Sequence, residues 1–121
     1  MPIRVIGTSH VSVDVEDTDR SAAFYLDVLG LEEIESQEPE LDVRWFRTVD
    51  GSVIHVLKPP AELPNARHIA LQVEDMDETV DEVGRLGFQV IRGPGERPDG
   101  ERYLYIRDPD GNIVEFTARP K

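Results

Sequence analysis

An internal repeat constrains this chain more than any other feature of its sequence. Residues Ser9–Asp19 return as Arg67–Asp77 at an offset of 58 (68 − 10), with matching His, Val, Glu, Asp and Asp positions. The segment Asp50–Val56 returns as Asp110–Phe116 at an offset of 60 (111 − 51). Each copy of such a repeat is one supersecondary unit, whose open face must be completed by the other copy or by another chain.

Hydrophobic periodicity predicts the same order of elements in both copies: one strand, one helix and three strands. Period-two alternation predicts the first strand over Thr8–Val15, and apolar residues at helical spacing follow it until Gly30 ends the helix. The second copy repeats this strand and helix, and its helix stops at Gly87. The remaining predicted strands are Leu31–Glu35, Asp42–Thr48, Val53–Leu57, Phe88–Arg92, Arg102–Arg107 and Ile113–Thr117.

Two segments lack the pattern of a helix or a strand. Lys58–Ala66 contains three prolines, which predicts a semi-extended connector that can span up to ~30 Å. Gly93–Gly100 is so rich in glycine and proline that we predict a mobile loop there. The predicted fold class is therefore α+β, with one domain over 1–121 built from two tandem βαβββ modules at about 5–58 and about 66–118.

The composition narrows the classes of function. The formal net charge of −12 disfavours binding to phosphate backbones, so we predict no nucleic-acid partner. No apolar run approaches the ~20 residues that cross a bilayer, and the N-terminus lacks the core of a signal peptide, so we expect a cytoplasmic protein without a membrane partner. The absence of cysteine excludes disulfides, thiolate metal ligands and cysteine nucleophiles. Any metal must therefore be bound by nitrogen and oxygen.

All three histidines of the sequence fall on the repeat. His10 and His68 occupy equivalent positions in the two first strands, and His55 shares its last-strand position with Glu115. If a two-fold axis relates the modules, four ligand-type side chains from four strands can converge near it. Imidazole and carboxylate suit a divalent metal such as nickel, zinc, cobalt, manganese or ferrous iron. Four protein ligands on an octahedral ion leave two positions for water or substrate, which is typical of a catalytic site.

A resemblance to a known family rests on four segments: Ser9–Val13, Ala23–Leu31, Arg67–Val73 and Asp108–Phe116. They resemble the vicinal oxygen chelate superfamily, which includes glyoxalase I, methylmalonyl-CoA epimerase, extradiol dioxygenases, fosfomycin-resistance transferases and bleomycin-resistance proteins. The resemblance implies a paired βαβββ fold whose curved mixed sheet encloses one divalent metal. The positions that bind the metal in such proteins are occupied here by His10, His55, His68 and Glu115.

Members of this superfamily catalyse different reactions, and the ligand positions help to rank them. Glyoxalase I-like enzymes often have a second glutamate, and epimerases can have a glutamine, where this chain has His55. Extradiol dioxygenases use two histidines and one carboxylate around ferrous iron, and a further histidine would take a site that the diol and dioxygen need. Bleomycin-resistance-like members bind their ligand without a metal. We therefore rank a metal-dependent lyase or isomerase first, a ring-cleaving dioxygenase second and a non-catalytic antibiotic-binding protein third.

The resemblance also implies roles for individual side chains. The metal would act as a Lewis acid toward two neighbouring oxygens of a small substrate and stabilise an enediolate or another oxyanion. Glu115 is the predicted catalytic base, because in glyoxalase-like mechanisms a ligand carboxylate can leave the metal and move a proton. Three residues on one face of their strand, Tyr103, Tyr105 and Arg107, are candidates for contacting the substrate, as is Trp45. Core packing is the alternative role of these four.

We also predict a two-fold homodimer. Each module has an open face, which is completed either within one chain or by a second chain. Small glyoxalase-like and fosfomycin-resistance-like relatives pair modules between chains. That arrangement implies a site in which His10 and His55 of one chain meet His68 and Glu115 of the other, and a site built within one chain is the alternative.

Overall fold

The computed structural model describes residues 3–60 and 67–120. Contacts divide the chain into an N-terminal unit, His10–Arg67, and a C-terminal unit, Met1–Ser9 with His68–Lys121. One boundary falls inside the first strand. The other falls at the end of the predicted connector Lys58–Ala66, of which residues 61–66 lie outside the described part.

The N-terminal unit contains the first helix and the strands of the first repeat copy. Its elements are β1 (Val5–Asp14, in this unit from His10), α1 (Thr18–Ala23) with a π-helical turn (Phe24–Val28), β2 (Glu32–Ile34), β3 (Asp42–Arg47) and β4 (Val53–Lys58). The strands lie in the order β2–β3–β4–β1. Consecutive strands β2, β3 and β4 are antiparallel, whereas β4 runs parallel to β1.

The C-terminal unit repeats this arrangement. Its elements are β5 (His68–Val73), α2 (Met76–Leu86), β6 (Val90–Glu96), β7 (Arg102–Arg107) and β8 (Ile113–Ala118). The strands lie in the order β5–β8–β7–β6, with β8 parallel to β5 and antiparallel to β7. Both units thus have one strand, one helix and three strands, and the predicted α+β fold class with mixed strand pairing is confirmed.

In each unit the helix covers one face of the strands. Helix α1 packs on β3 and β4, where Ala22, Phe46 and Val56 form a buried core. Helix α2 packs on β7 and β8, and the second core consists of Val73, Met76, Val83, Leu104, Ile106, Phe116 and Ala118. Because alternate side chains of a strand point to opposite faces, the residues between these core positions point away from the helix.

The two helices begin in the same way. The Asp17 side chain accepts hydrogen bonds from the N–H groups of Asp19 and Arg20 and so caps α1. Asp75, at the repeat offset of 58 (75 − 17), accepts a hydrogen bond from the Glu78 N–H and caps α2. No helix within the described ranges is long and apolar enough to cross a membrane.

The helices end differently because the first copy has one additional residue. The terminating glycine lies 13 positions after the capping aspartate in the first copy (30 − 17) and 12 positions after it in the second (87 − 75). The π-helical turn Phe24–Val28 accommodates the extra residue, and within it the Leu29 N–H donates to the Phe24 carbonyl. Gly30 and Gly87 both have positive φ, 66° and 81°, so the predicted helix ends are confirmed.

The mobile loop predicted over Gly93–Gly100 is wrong in its first half. Strand β6 continues to Glu96 and pairs with β7 in an irregular register. Pro94 lacks an N–H, which is tolerated because β6 is the last strand of its unit and is already bulged. Gly93 has a φ of +90°, and a Cβ there would lie 2.9 Å from the Tyr103 carbonyl oxygen, so only glycine permits this close approach.

Candidate functional site

In the N-terminal unit, strand register brings two of the predicted ligands together. His55 of β4 pairs with Ser12 of β1, two residues beyond His10, and both histidines point away from α1. Their rings stack with centroids 3.8 Å apart, and they are only 3% (His10) and 4% (His55) exposed. Trp45, opposite His55 on β3, stacks on the same imidazole at 4.0 Å. The unit therefore presents two buried imidazoles held by aromatic stacking.

The C-terminal unit has the same strand relation but a different chemistry. Glu115 of β8 pairs with Ala70 of β5, two residues beyond His68. His68 Nε2 lies 2.9 Å from Glu115 Oε1, and the two side chains are 10% and 0% exposed. The ring of Tyr105, opposite Glu115 on β7, contacts the His68 ring edge-on at 5.4 Å. A buried imidazole–carboxylate pair thus occupies the place that two stacked imidazoles occupy in the N-terminal unit.

Arg97 supplies the positive charge beside Glu115. Its Nη2 lies 2.8 Å from Glu115 Oε2 and donates to the Tyr105 hydroxyl at 3.1 Å. Its Nη1 donates to Glu101 Oε1 at 3.1 Å, and the guanidinium lies over the Tyr103 ring at 4.6 Å. The Arg97 side chain is 4% exposed. One buried guanidinium therefore joins two carboxylates and two phenol rings.

The carboxyl group of Glu101 is strongly perturbed. Burial raises its pKa to about 7, and this effect outweighs the opposing attraction of the Arg97 guanidinium. The negative charges of Glu115 and Asp99 raise the pKa further. Glu101 therefore exchanges a proton near neutral pH in the metal-free protein.

The four candidate substrate residues lie in different environments. Tyr103 and Tyr105 contact each other edge-on and lie beside the His68–Glu115 pair. Arg107 is exposed and donates to the Gly111 carbonyl, so it supports the turn before β8. Trp45 is 7% exposed, and its Nε1 has no acceptor among the described residues. Trp45, Tyr103 and Tyr105 therefore lie on the same strand faces as the predicted ligands.

The sequence patterns did not indicate roles for Arg97 and Glu101, because Arg97 lies in the segment predicted to be a mobile loop. A usable signal was present between them in Pro98-Asp99-Gly100, a sequence typical of a tight turn. Such a turn brings its flanking residues opposite each other, and the Arg97 N–H indeed donates to the Glu101 carbonyl at 2.8 Å. A charged pair across this turn could therefore have been predicted, but its contact with Glu115 could not.

One protein family matches nearly the whole of this chain. The profile of the Glyoxalase/Bleomycin resistance protein/Dioxygenase superfamily matches residues 7–116. A probable lactoylglutathione lyase from Synechocystis sp. is 30% identical over 119 residues, which cover 88% of this chain and 91% of that protein. The fosfomycin resistance protein FosX from Listeria innocua is 28% identical, over 94% of this chain and 90% of that protein.

Solved structures agree on the fold. Methylmalonyl-CoA epimerase from Mycobacterium tuberculosis superposes with a TM-score of 0.79 at 19% identity, covering 100% of this chain and 93% of that chain. At this identity the likeness shows the fold alone. The sequence relatives, which include lactoylglutathione lyases, bear out the prediction that the chain is an enzyme of the lyase or isomerase type.

The raised pKa of Glu101 predicts a pH-dependent stability. Between pH 4.5 and about 7 the folded state binds more protons than the unfolded state, so the free energy of unfolding falls as pH rises through this window. Glu101→Gln imitates the protonated side chain. We expect its free energy of unfolding to fall less between pH 5 and pH 8 than that of the wild type, by on the order of 1 kcal/mol. The measurement is calorimetry in chelator.

The matched control is Glu96→Gln, which changes an exposed glutamate of the same hairpin. Its melting temperature should follow that of the wild type across the same pH range. Equal pH dependence of Glu101→Gln and the wild type would contradict the raised pKa.

Proposed function

The chain belongs to the Glyoxalase/Bleomycin resistance protein/Dioxygenase superfamily, and from this premise we propose that it is a divalent-metal-dependent lyase or isomerase. Its substrate is a small molecule with two neighbouring oxygens. The observation that carries the proposal is the buried His68–Glu115 pair, which has its repeat equivalent in His10 and His55. Four ligand-type side chains at equivalent positions are unexpected in a core that only has to be stable.

The donor atoms suit a divalent ion. The 2.9 Å between His68 Nε2 and Glu115 Oε1 is about the distance between adjacent ligands of an octahedral ion with bonds of ~2.1 Å. We propose that His10, His55, His68 and Glu115 bind the ion together, with nickel, zinc, cobalt, manganese or ferrous iron as candidates. When bound, the ion would act as a Lewis acid toward two substrate oxygens and stabilise an enediolate-like oxyanion.

Glu115 is the proposed base of the reaction. It is the only carboxylate among the four proposed ligands, and a carboxylate can accept a proton from a carbon next to a carbonyl. The Trp45 Nε1–H and the Tyr105 hydroxyl, on the face that carries the ligands, are the proposed donors to substrate oxygens. Buried donors of this kind give orientation and specificity in ligand sites.

The choice of substrate rests on the sequence relatives. Those named lactoylglutathione lyase favour the thiohemiacetal of a 2-oxoaldehyde and a thiol. His55 in place of a second glutamate leaves Glu101 as the other carboxyl group close to the Glu115 network. Two alternatives remain: a ring-cleaving dioxygenase, and a resistance protein that sequesters or modifies an antibiotic, as the FosX relative indicates.

We further propose that the enzyme works in the cytoplasm as a homodimer. The absence of cysteine suits a reducing compartment. His10 and His55 lie in one unit, and His68 and Glu115 lie in the other. A dimer that combines these two pairs from different chains would be stabilised by the metal, because an ion that binds only the assembled form shifts the equilibrium toward it.

Metal binding should depend on the four proposed ligands. We expect near-stoichiometric divalent metal in the wild type by elemental analysis, and a large loss in His10→Ala and Glu115→Gln. The controls are Ser12→Ala and Thr117→Val, which change buried residues two positions from His10 and Glu115. Both controls should keep the metal. A wild type that binds none after reconstitution would refute the metal proposal.

The reaction class should be visible in two parallel assays. The nickel-, zinc- and iron-loaded forms are tested for isomerisation of 2-oxoaldehyde thiohemiacetals by absorbance, and for oxygen uptake with catechols. We expect isomerisation and no oxygen uptake, and loss of isomerisation in Glu115→Gln. Oxygen uptake that requires ferrous iron would favour the dioxygenase instead.

Mixing two inactive variants tests the shared site. If each site takes His10 from one chain and Glu115 from the other, His10→Ala mixed with Glu115→Gln gives mixed dimers with one intact and one doubly damaged site. Activity should return to about a quarter of the wild-type value after subunit exchange. No recovery despite exchange, shown by light scattering and mass spectrometry, would mean that each chain builds its own site.

A further inference from the structure

Arg97 has no role in the function proposed above, although its guanidinium contacts four other side chains. Among the described residues it is the only arginine or lysine that is buried. A buried guanidinium is unfavourable unless charged and polar groups surround it. Here those groups include Glu115, the proposed base and metal ligand, through its Oε2 atom.

We propose that Arg97 makes Glu115 a labile metal ligand, by holding Oε2 while Oε1 faces the donor atom of His68. The inference rests on the proposed metal dependence. The two oxygens of Glu115 have separate partners, with Arg97 Nη2 at 2.8 Å from Oε2 and His68 Nε2 at 2.9 Å from Oε1. Glu115 therefore has one oxygen, Oε1, to offer to an ion shared with His68, and would bind that ion through Oε1.

Arg97 weakens the Glu115–metal bond in two ways. A charge-assisted hydrogen bond draws electron density from the carboxylate and lowers its strength as a donor. The fixed positive charge also repels a divalent cation across a short distance in a site from which water is largely excluded. If Glu115 left a bound metal to accept a proton, it would still have a charged partner in Arg97, so it would not become an unpaired buried carboxylate before the proton arrives.

The surroundings of Arg97 keep it in place during such a change. Glu101 and the Tyr105 hydroxyl accept hydrogen bonds from the guanidinium, and the Tyr103 ring lies under it at 4.6 Å. The backbone adds to this: the Arg97 N–H donates to the Glu101 carbonyl, and the Gly100 N–H donates to the Arg97 carbonyl, both at 2.8 Å. None of these contacts involves Glu115, so they do not depend on whether Glu115 binds a metal. Arg97 is therefore a fixed positioning residue.

The test is the affinity for Ni²⁺ and Mn²⁺, measured by competition with a chromophoric chelator, together with the rate of metal release. Arg97→Met removes the cation, and the double variant Arg97→Met/Glu101→Gln also removes the second carboxyl group that the guanidinium contacts, so that Glu115 is the one carboxylate left without its arginine. The control is Arg92→Met, which removes an exposed cation lying 5.1 Å and 5.6 Å from the same two tyrosine rings.

We expect both Arg97 variants to bind metal about tenfold more tightly or better, and to release it more slowly. Arg92→Met should stay within about threefold of the wild type. Tighter binding is diagnostic, since loss of a merely structural contact would loosen the ligands and weaken binding. Metal affinity that is equal or weaker in the Arg97 variants would overturn the inference and leave the metal proposal standing.

The remaining outcomes separate the two proposals. Metal uptake by the Arg97 variants alone, with none in the wild type, would support the role of Arg97 and refute a metal-dependent wild-type enzyme. No uptake by any of the proteins would overturn both.

Discussion

The covering of one strand face by a helix is the constraint on which both units depend. It assigns every second residue of β4 and β8 to an apolar core, and leaves the residues between them to the opposite face. His55 and Glu115 lie on that face, and both are nearly inaccessible to water. A polar group buried there requires a partner, so the chemistry of each unit follows from how the partner is supplied.

In the C-terminal unit the partner of the buried Glu115 is a charged side chain, Arg97, which lies in the connection between β6 and β7. Glu115 is 0% exposed and lies beside Arg97, whose loss would leave a buried carboxylate short of a counter-ion. Breaking a buried pair in this way costs about 3–5 kcal/mol. The bulged course of β6, with Gly93 packed closely on the β7 backbone, leads directly into the turn that carries Arg97. An irregular edge strand is therefore part of the site.

Much of this arrangement could be predicted from the sequence, because repeat and alternation are local properties. They placed His10, His55, His68 and Glu115 at equivalent positions on the helix-free faces, as the strand registers of each unit show. The π-helical turn was missed because one extra residue hardly disturbs hydrophobic periodicity. The continuation of β6 beyond Arg92 was missed because proline and glycine normally end strands, and the ion pair of Arg97 with Glu115 depends on tertiary packing that no local pattern contains.

The two copies differ where the chemistry would take place. Trp45 and Tyr105 are equivalent at the offset of 60 (105 − 45), yet the first stacks on an imidazole and the second hydrogen-bonds a guanidinium. At the same offset Arg97 and Glu101 correspond to Gln37 and Leu41, which carry no charge (97 − 60, 101 − 60). In the N-terminal unit these two positions therefore bring no charge to His55, whose ring stacks on those of His10 and Trp45. Duplication therefore accounts for the equivalent positions of the four side chains, and divergence at Arg97 and Glu101 accounts for the charges that lie beside Glu115 in the C-terminal unit.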